Sequence, residues 1–357
     1  MFLLDLPQEL LDHIPGHLRN IEDFLALSST CRLLRRTCSL VSSNTILRLA
    51  AAQSSTFFRP DPHYLIAATC SQLSKNAIES AEARQALRHA LQGGVEGLLE
   101  HCIENCGLTL AEIRRLHEMR FTIFNPLANW IDQLAGKQWY QTPGFWSGGV
   151  SDAYTIFAEP ERALYQFAIY GELLGSSSEN YIRGQKDAVL DREVRLDYVK
   201  YCVPDSVCAG GYRGFEVLNT GPYKSGETDT QVADQAAMWH ILKSTRWNRA
   251  WAEVRAAAGG DFEEDSWKQE VWNACVLNQG LGGLSMLRPG GLTQEWVDKL
   301  HEIRRLIEGL EGSDRPSRVE VPLVHPYLTT DFAILYEEAL ACMQNMWPGT
   351  YAADSQA

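Results

Sequence analysis

Four residues between positions 101 and 117 are of types that bind transition metals: His101, Cys102, Cys106 and His117. A helix would place Cys102 and Cys106, four residues apart, on one face, where their thiolates could share a metal ion. Zinc sites built from Cys and His usually have more closely spaced ligand pairs. Buried thiols beside a surface histidine are therefore the favoured interpretation, and we predict neither a metal site nor a cofactor.

Hydrolase and nucleotide-binding motifs are incomplete in this chain. Two His-Glu pairs begin the zinc-protease pattern, which needs a second histidine four residues after the first. That position is Phe121 after His117, and Arg305 after His301. The glycine-rich run at 280–283 lacks the third glycine of a dinucleotide-binding loop, and neither G-x-S-x-G nor G-x-x-x-x-G-K-[ST] occurs. No catalytic residue is predicted.

Paired carboxylates, which can serve general acid–base chemistry, occur at 263–265 and 337–338. The first group precedes a helix predicted to be capped by Ser266, where acidic residues stabilise the positive end of the helix dipole. A solvated loop and an exposed helix flank are the favoured interpretations of the two groups.

Most of the ten Trp are predicted to fill the core, and a minority to line a pocket or a protein-binding surface.

The segments that carry these residues have mainly helical patterns. Thr109 and Glu112 predict a capping box, and Pro62 and Pro160 stand where a helix begins. The residues at 164–174, 296–310 and 332–343 show apolar side chains at helical spacing, and a helix from about 229 to 258 is predicted to end at two glycines. Extended structure is expected only near 318–324, because Pro322 and Pro326 disfavour a helix there. Long loops are predicted at 136–151, 203–228 and 278–292. The predicted fold class is therefore all-α.

Charge divides the chain into two parts. The net charge is −13, yet the first fifty residues carry five Arg and five acids, and thirteen of the fifty are Leu. An acidic chain has no general attraction for nucleic acids or anionic membranes, so neither is an expected partner. Nine cysteines without a C-x-x-C pair, no basic signal segment and no bilayer-length apolar run predict a soluble cytoplasmic or nuclear protein.

The first forty residues predict short amphipathic helices. Apolar side chains recur at helical spacing from Leu10 to Leu18, and Pro15 must end or kink that first helix. Asn20 is a candidate N-cap for a second helix that extends past Leu34. Helices this short cannot bury all their leucines against one another, so the remaining apolar surface predicts a protein partner or docking onto the rest of the chain.

The N-terminal run L-P-Q-E-L-L-D-H-I, continued by I-E-D-F-L-A-L-S-S-T-C-R-L-L-R-R, resembles an F-box. The family pattern has Leu-Pro, then Glu, aliphatic residues, an Asp-apolar pair and a Cys-Arg pair, all in the order found here. The chain departs from the pattern in two places. Leu34 stands where many members have Trp, and Pro15-Gly16 directly follows Ile14.

The resemblance implies a trihelical module that docks on the Skp adaptor of a Skp–cullin–F-box ubiquitin ligase, and through the adaptor on a cullin. The matching residues would divide between the adaptor interface and the module's own core, in proportions that the resemblance leaves open. They are Leu6, Pro7, Leu11, Ile14, Leu18, Phe24, Leu27, Cys31 and Leu34.

Four parts are predicted along the chain. An F-box at 1–50 and a linker at 51–60 would precede a helical substrate-binding body at 61–349 and a disordered tail at 350–357. Segments 161–167 and 325–328 resemble the helical C-terminal regions of filamentous-fungal F-box proteins. The expected function is that of a non-catalytic substrate receptor for an unidentified target protein. Two alternatives remain: an enzyme with a Trp-lined small-molecule pocket, in which the F-box-like segment belongs to the core, and a scaffold outside any ligase.

Overall fold

The computed structural model describes residues 6–52, 62–130, 160–190, 192–202, 245–315, 318–322 and 326–330. Over these ranges the fold is all-α, as predicted, with fourteen α-helices and one two-stranded hairpin. The α-helices are α1 (Gln8–His13), α2 (Ile21–Thr30), α3 (Arg32–Ser39), α4 (Ser43–Ala51), α5 (Pro62–Glu79), α6 (Ala81–Gln92), α7 (Gly94–Asn105), α8 (Leu110–Met119), α9 (Pro160–Ile182), α10 (Arg192–Asp197), α11 (Thr245–Ala257), α12 (Ser266–Leu277), α13 (Gly280–Leu284) and α14 (Gln294–Glu308).

Helices α1 to α4 form what we call the N-terminal module, residues 6–52. Helix α1 ends at His13 and continues as a 3-10 turn over Ile14–His17, because Pro15 has no amide hydrogen to donate. Asn20 caps α2, and its Oδ1 accepts a hydrogen bond from the Asp23 amide at 2.8 Å. The predicted end of the first helix and the predicted cap are both confirmed.

The prediction of one helix through Leu34 is wrong, because the helix is interrupted at Cys31. Cys31 is extended (φ −154°, ψ 170°) and lies between α2 and α3. The hydroxyls of residues 28–30 donate to carbonyls of Leu25 and Leu27 in the last turns of α2. Side chains of this kind compete with the backbone for hydrogen bonds and favour helix ends. The module consequently has three short helices before α4.

Helix α4 joins the module to the body, the name used here for the described part of residues 62–315. The amide of Asn44 donates to the carbonyls of Ile103 (2.6 Å) and Cys106 (3.0 Å), and the Leu108 amide donates to the Ser43 carbonyl (3.0 Å). Four residues of α4 are buried, and α4 packs against α5, α7 and α8. The position of a domain boundary at residue 50 stays a prediction.

Helix α9 is the central element of the body and packs against α5, α12, α13 and α14. The predicted apolar face is confirmed, but the burial extends around the helix, since Tyr165, Ile169 and Tyr170 are buried as well. At Gly171 an added Cβ would lie 2.8 Å from the Cα of Gly280, so α9 and α13 approach closely only because that position is glycine. One continuous hydrophobic core runs from α2 through the body to α14.

Several local predictions are confirmed. Thr109 and Glu112 form a reciprocal capping box, and α14 buries one face, including Leu300, Ile303 and Ile307. Helix α11 ends before two glycines with positive φ, Gly259 (103°) and Gly260 (82°). Pro62 and Pro160 begin α5 and α9. Residues Arg318–Pro322 are extended and pair antiparallel with Pro326–Thr330.

The loop predicted at 278–292 is wrong in its first half. Residues Gly280–Leu284 form α13, and Ser285–Leu287 continue it as a 3-10 turn. Gly280 adopts a positive φ of 62° at the start of α13, and burial of Leu281 and Leu284 outweighs the low helix propensity of three glycines. The predictions for 136–151, 203–228, 229–244, 332–343 and 350–357 lie outside the described residues.

Candidate protein-interaction site

Exposed apolar side chains concentrate in the N-terminal module. Among the described residues, four large hydrophobic side chains are exposed, and three belong to the module: Leu10 (53%), Leu25 (37%) and Leu40 (70%). The fourth is Phe121 (57%), in the π-helical turn after α8. Single exposed apolar residues are ordinary on protein surfaces. Three of the four nevertheless fall within the N-terminal module, so we take this module as the candidate protein-interaction site.

The geometry of α1 explains why its leucines differ. Leu10 and Ile14 are one turn apart, and Ile14 keeps a helical backbone (φ −54°, ψ −47°), so the two side chains lie on the same side. Leu11 lies on another side and is 1% exposed. The Gln8 amide donates to the Thr37 hydroxyl at 3.2 Å and so ties α1 to α3. Helix α1 therefore packs through Leu11 and leaves the Leu10 side open.

The nine residues that match the F-box pattern differ in how deeply they are buried. Three of them are buried in the chain's own packing: Leu11, Phe24 and Leu34. Pro7 is exposed and the remaining five are half-buried: Leu6, Ile14, Leu18, Leu27 and Cys31. A role in adaptor binding for the six that are not buried stays a prediction.

Sequence reasoning did not include Leu10, Leu25 and Leu40 among the interface residues. Leu10 shares a side of α1 with Ile14, and Leu25 lies beside buried Phe24, but helical spacing alone does not say which of these sides is exposed. Leu40 follows α3 as its C-cap. Its exposure depends on where α3 ends, which the apolar pattern does not define.

The Cys and His residues at 101–117 form no metal centre in the described structure. Cys102 and Cys106 are buried, and no group of three or more His, Cys, Asp or Glu among the described residues has the geometry to hold a metal ion. A hydrogen bond with Cys102, together with burial, raises the pKa of the Cys106 thiol well above its usual range. The thiol is therefore protonated at neutral pH, whereas metal binding and nucleophilic attack require the thiolate.

The carboxylates and tryptophans of the body occupy mainly structural positions. Glu263 and Glu264 are exposed, as expected, although Asp265 rather than Ser266 takes the N-cap position of α12. Among the tryptophans that the structure describes, Trp251 and Trp272 are buried. Three others pack half-buried against the core: Trp130, Trp267 and Trp296.

Sequence reasoning did not single out Glu172, a half-buried residue in the middle of α9. Its Oε1 accepts a hydrogen bond from the Leu281 amide at 2.8 Å and so links α9 to α13. Burial raises the pKa of Glu172 above its ordinary value, although Arg115 and Lys299 act in the opposite direction. This contact is structural, since it satisfies a backbone amide at the beginning of α13.

Comparisons with known proteins give no assignment. No protein-family model matches the chain, and neither a curated protein nor a solved structure matches it. No described helix is both long and apolar enough to cross a lipid bilayer. The exposed apolar side chains of the N-terminal module are therefore the main structural indication of function.

Proposed function

We propose that this chain is a substrate receptor of a Skp–cullin–F-box ubiquitin ligase. The N-terminal module docks the Skp adaptor, and the helical body holds a target protein in the cytoplasm or nucleus. The single observation that supports this most is the exposure of Leu10, Leu25 and Leu40 on a module whose sequence resembles an F-box. Apolar side chains of short helices are the usual anchors when a helical module docks on a partner.

The attachment of the module supports the same proposal. The hydrogen bonds of Asn44 and the buried residues of α4 fix the module to the body. A receptor of this kind acts by proximity, because binding a target near the ubiquitin-carrying enzyme raises the effective concentration of its lysines. A firm connection between the docking module and the target-binding body preserves that geometry.

Co-purification of the Skp adaptor with full-length chains tests the proposal. The wild-type chain is expected to retain the adaptor in stoichiometric amount, and Leu10→Glu with Leu25→Glu is expected to lose it. Both positions are exposed, so the double variant should remain folded. Substitutions at Leu11 or Phe24 would be uninformative, because both side chains are buried in the chain's own core.

Phe121→Glu is the matched control, since Phe121 is as exposed as Leu10 but lies in the body. This variant should retain the adaptor, and circular dichroism should show the same helix content in all three chains. A wild-type chain that elutes as a monomer without adaptor would contradict the proposal. So would equal loss of adaptor in Phe121→Glu and in the leucine double variant.

A further inference from the structure

Helix α3 presents a row of positive charge that no acidic side chain among the described residues neutralises. Arg32, Arg35 and Arg36 are exposed, and α3 contains no Asp or Glu. The Nε of Arg35 donates to the Ser28 carbonyl at 3.4 Å, and none of the three makes an ion pair within the described structure. Some exposed arginines of the body are paired, for example Arg183 with Glu302 (2.6 Å) and Arg249 with Glu253 (3.1 Å).

The row ends in an exposed leucine. Arg32, Arg36 and Leu40 follow one another at intervals of four residues, and Leu40 keeps a near-helical backbone (φ −96°, ψ −2°). They therefore lie along one side of α3, opposite the buried residues Leu34 and Cys38. Two guanidinium groups and an apolar side chain 70% exposed thus form one continuous strip.

We infer that this strip of α3 binds an acidic, partly apolar surface of the Skp adaptor. The inference rests on the proposed function and adds the chemistry of the partner. Charge complementarity selects the occupant, because unpaired guanidinium groups fit carboxylates and are the residues most often used for such pairs across interfaces. Because Leu40 also needs an apolar contact, the matching adaptor surface should place its carboxylates beside a hydrophobic side chain.

A nucleic acid is the less favoured partner for the same strip. The two arginines of the strip would have to bind a polyanion while the chain as a whole carries a net charge of −13. Non-specific binding to phosphate backbones depends on the number of cationic contacts, and here that number is small. The strip also ends in a leucine, which gains nothing from a phosphate backbone.

Charges at the edge of an interface mainly accelerate association, whereas apolar contacts mainly slow dissociation. The arginines and Leu40 should therefore affect different rate constants. In low salt, Arg32→Glu with Arg36→Glu is expected to lower the association rate of purified adaptor about tenfold, and the difference should shrink in high salt. Leu40→Ala is expected to raise the dissociation rate and leave association unchanged.

Arg114→Glu with Arg305→Glu is the matched control, because both arginines are exposed in the body and the change in net charge is the same. Binding of full-length chains to immobilised adaptor, measured at low and high salt, gives all the rate constants. Equal association rates for the α3 variant and the control would overturn the inference while leaving adaptor docking intact. Absence of adaptor binding by the wild-type chain would instead overturn the proposed function, and the inference with it.

A parallel titration with single-stranded DNA should show no binding that depends on Arg32 and Arg36, and such binding would also contradict the inference.

Discussion

The N-terminal module and the body are both helical, but they use their apolar residues differently. Helix α9 in the body has 23 residues, and its side chains from Leu164 to Tyr170 are all buried by surrounding helices. Helix α1 in the module has six residues, of which only Leu11 is buried. The body buries its apolar side chains in a core that it shares with α2 and α4, whereas the module also leaves leucines at its surface.

Size explains part of this difference. A small group of short helices has a large surface for its volume and cannot enclose every apolar side chain. The module gains its burial in two places, between α1 and α3 around Leu11 and Leu34, and against the body through α2 and α4. The sides of α1 and α3 that face away from both are left with Leu10 and Leu40. A partner protein would remove these side chains from water.

The largest expected effect comes from two neighbouring leucines in α1. Leu11→Ala should lower the free energy of unfolding by about 2–5 kcal/mol, because it removes a buried side chain and leaves a cavity. Leu10→Ala should change it by no more than about 0.5 kcal/mol, since Leu10 is exposed. Urea denaturation of the full-length chain, followed by circular dichroism, measures both. Similar losses for the two variants would mean that the module does not pack in this orientation.

Much of this contrast could be predicted from the sequence. Caps and helix breakers act locally, so the roles of Asn20, Pro15 and Thr109 followed from residue types and spacing. The break at Cys31 was missed, because the apolar spacing continues through it and three hydroxyl side chains decide where α2 ends. The burial of α13 was missed because it depends on α9, which is more than one hundred residues away in the chain.

The candidate site could be predicted only in part, for a related reason. The F-box-like pattern covers part of the N-terminal module, but it contains core residues and surface residues together. The distinction between Leu10 and Leu11 depends on which side of α1 meets α3, and a tertiary contact such as that of Gln8 with Thr37 settles it. Helical spacing alone defines two sides of α1 without saying which one faces the solvent.

A substitution in α4, where the N-terminal module meets the body, tests whether the module and the body unfold together. Asn44→Ala removes the two hydrogen bonds to the carbonyls of Ile103 and Cys106 and should cost about 1–3 kcal/mol. If the junction couples the regions, the whole transition should move to lower urea concentration and remain single. Thr45→Ala is a suitable control, because Thr45 is also in α4 but its side chain bonds only to neighbouring Ser42. A separate early transition in Asn44→Ala would show that the module can unfold alone.

The smallest expected effect is a pH dependence located in the body. Burial raises the pKa of Glu172, so between the ordinary carboxyl pKa and this raised value the folded chain binds more protons than the unfolded chain. The free energy of unfolding must therefore fall as the pH rises through that interval. Glu172→Gln cannot ionise, and its side-chain oxygen can still accept the hydrogen bond from the Leu281 amide.

The Glu172→Gln variant should match the wild-type chain at acidic pH and exceed it in stability at neutral pH. Urea midpoints measured from about pH 4 to about pH 8 would detect the difference as a loss of slope. Glu118→Gln, at an exposed position in α8, should keep the wild-type pH profile. Because Glu172 lies in α9 and contacts α13, outside the N-terminal module, the change should leave the adaptor binding that we propose for Leu10 and Leu25 unaltered. A Glu172→Gln variant less stable than wild type at neutral pH would contradict this prediction. It would mean that the attraction of the ionised carboxylate to Arg115 and Lys299 outweighs the cost of burying it.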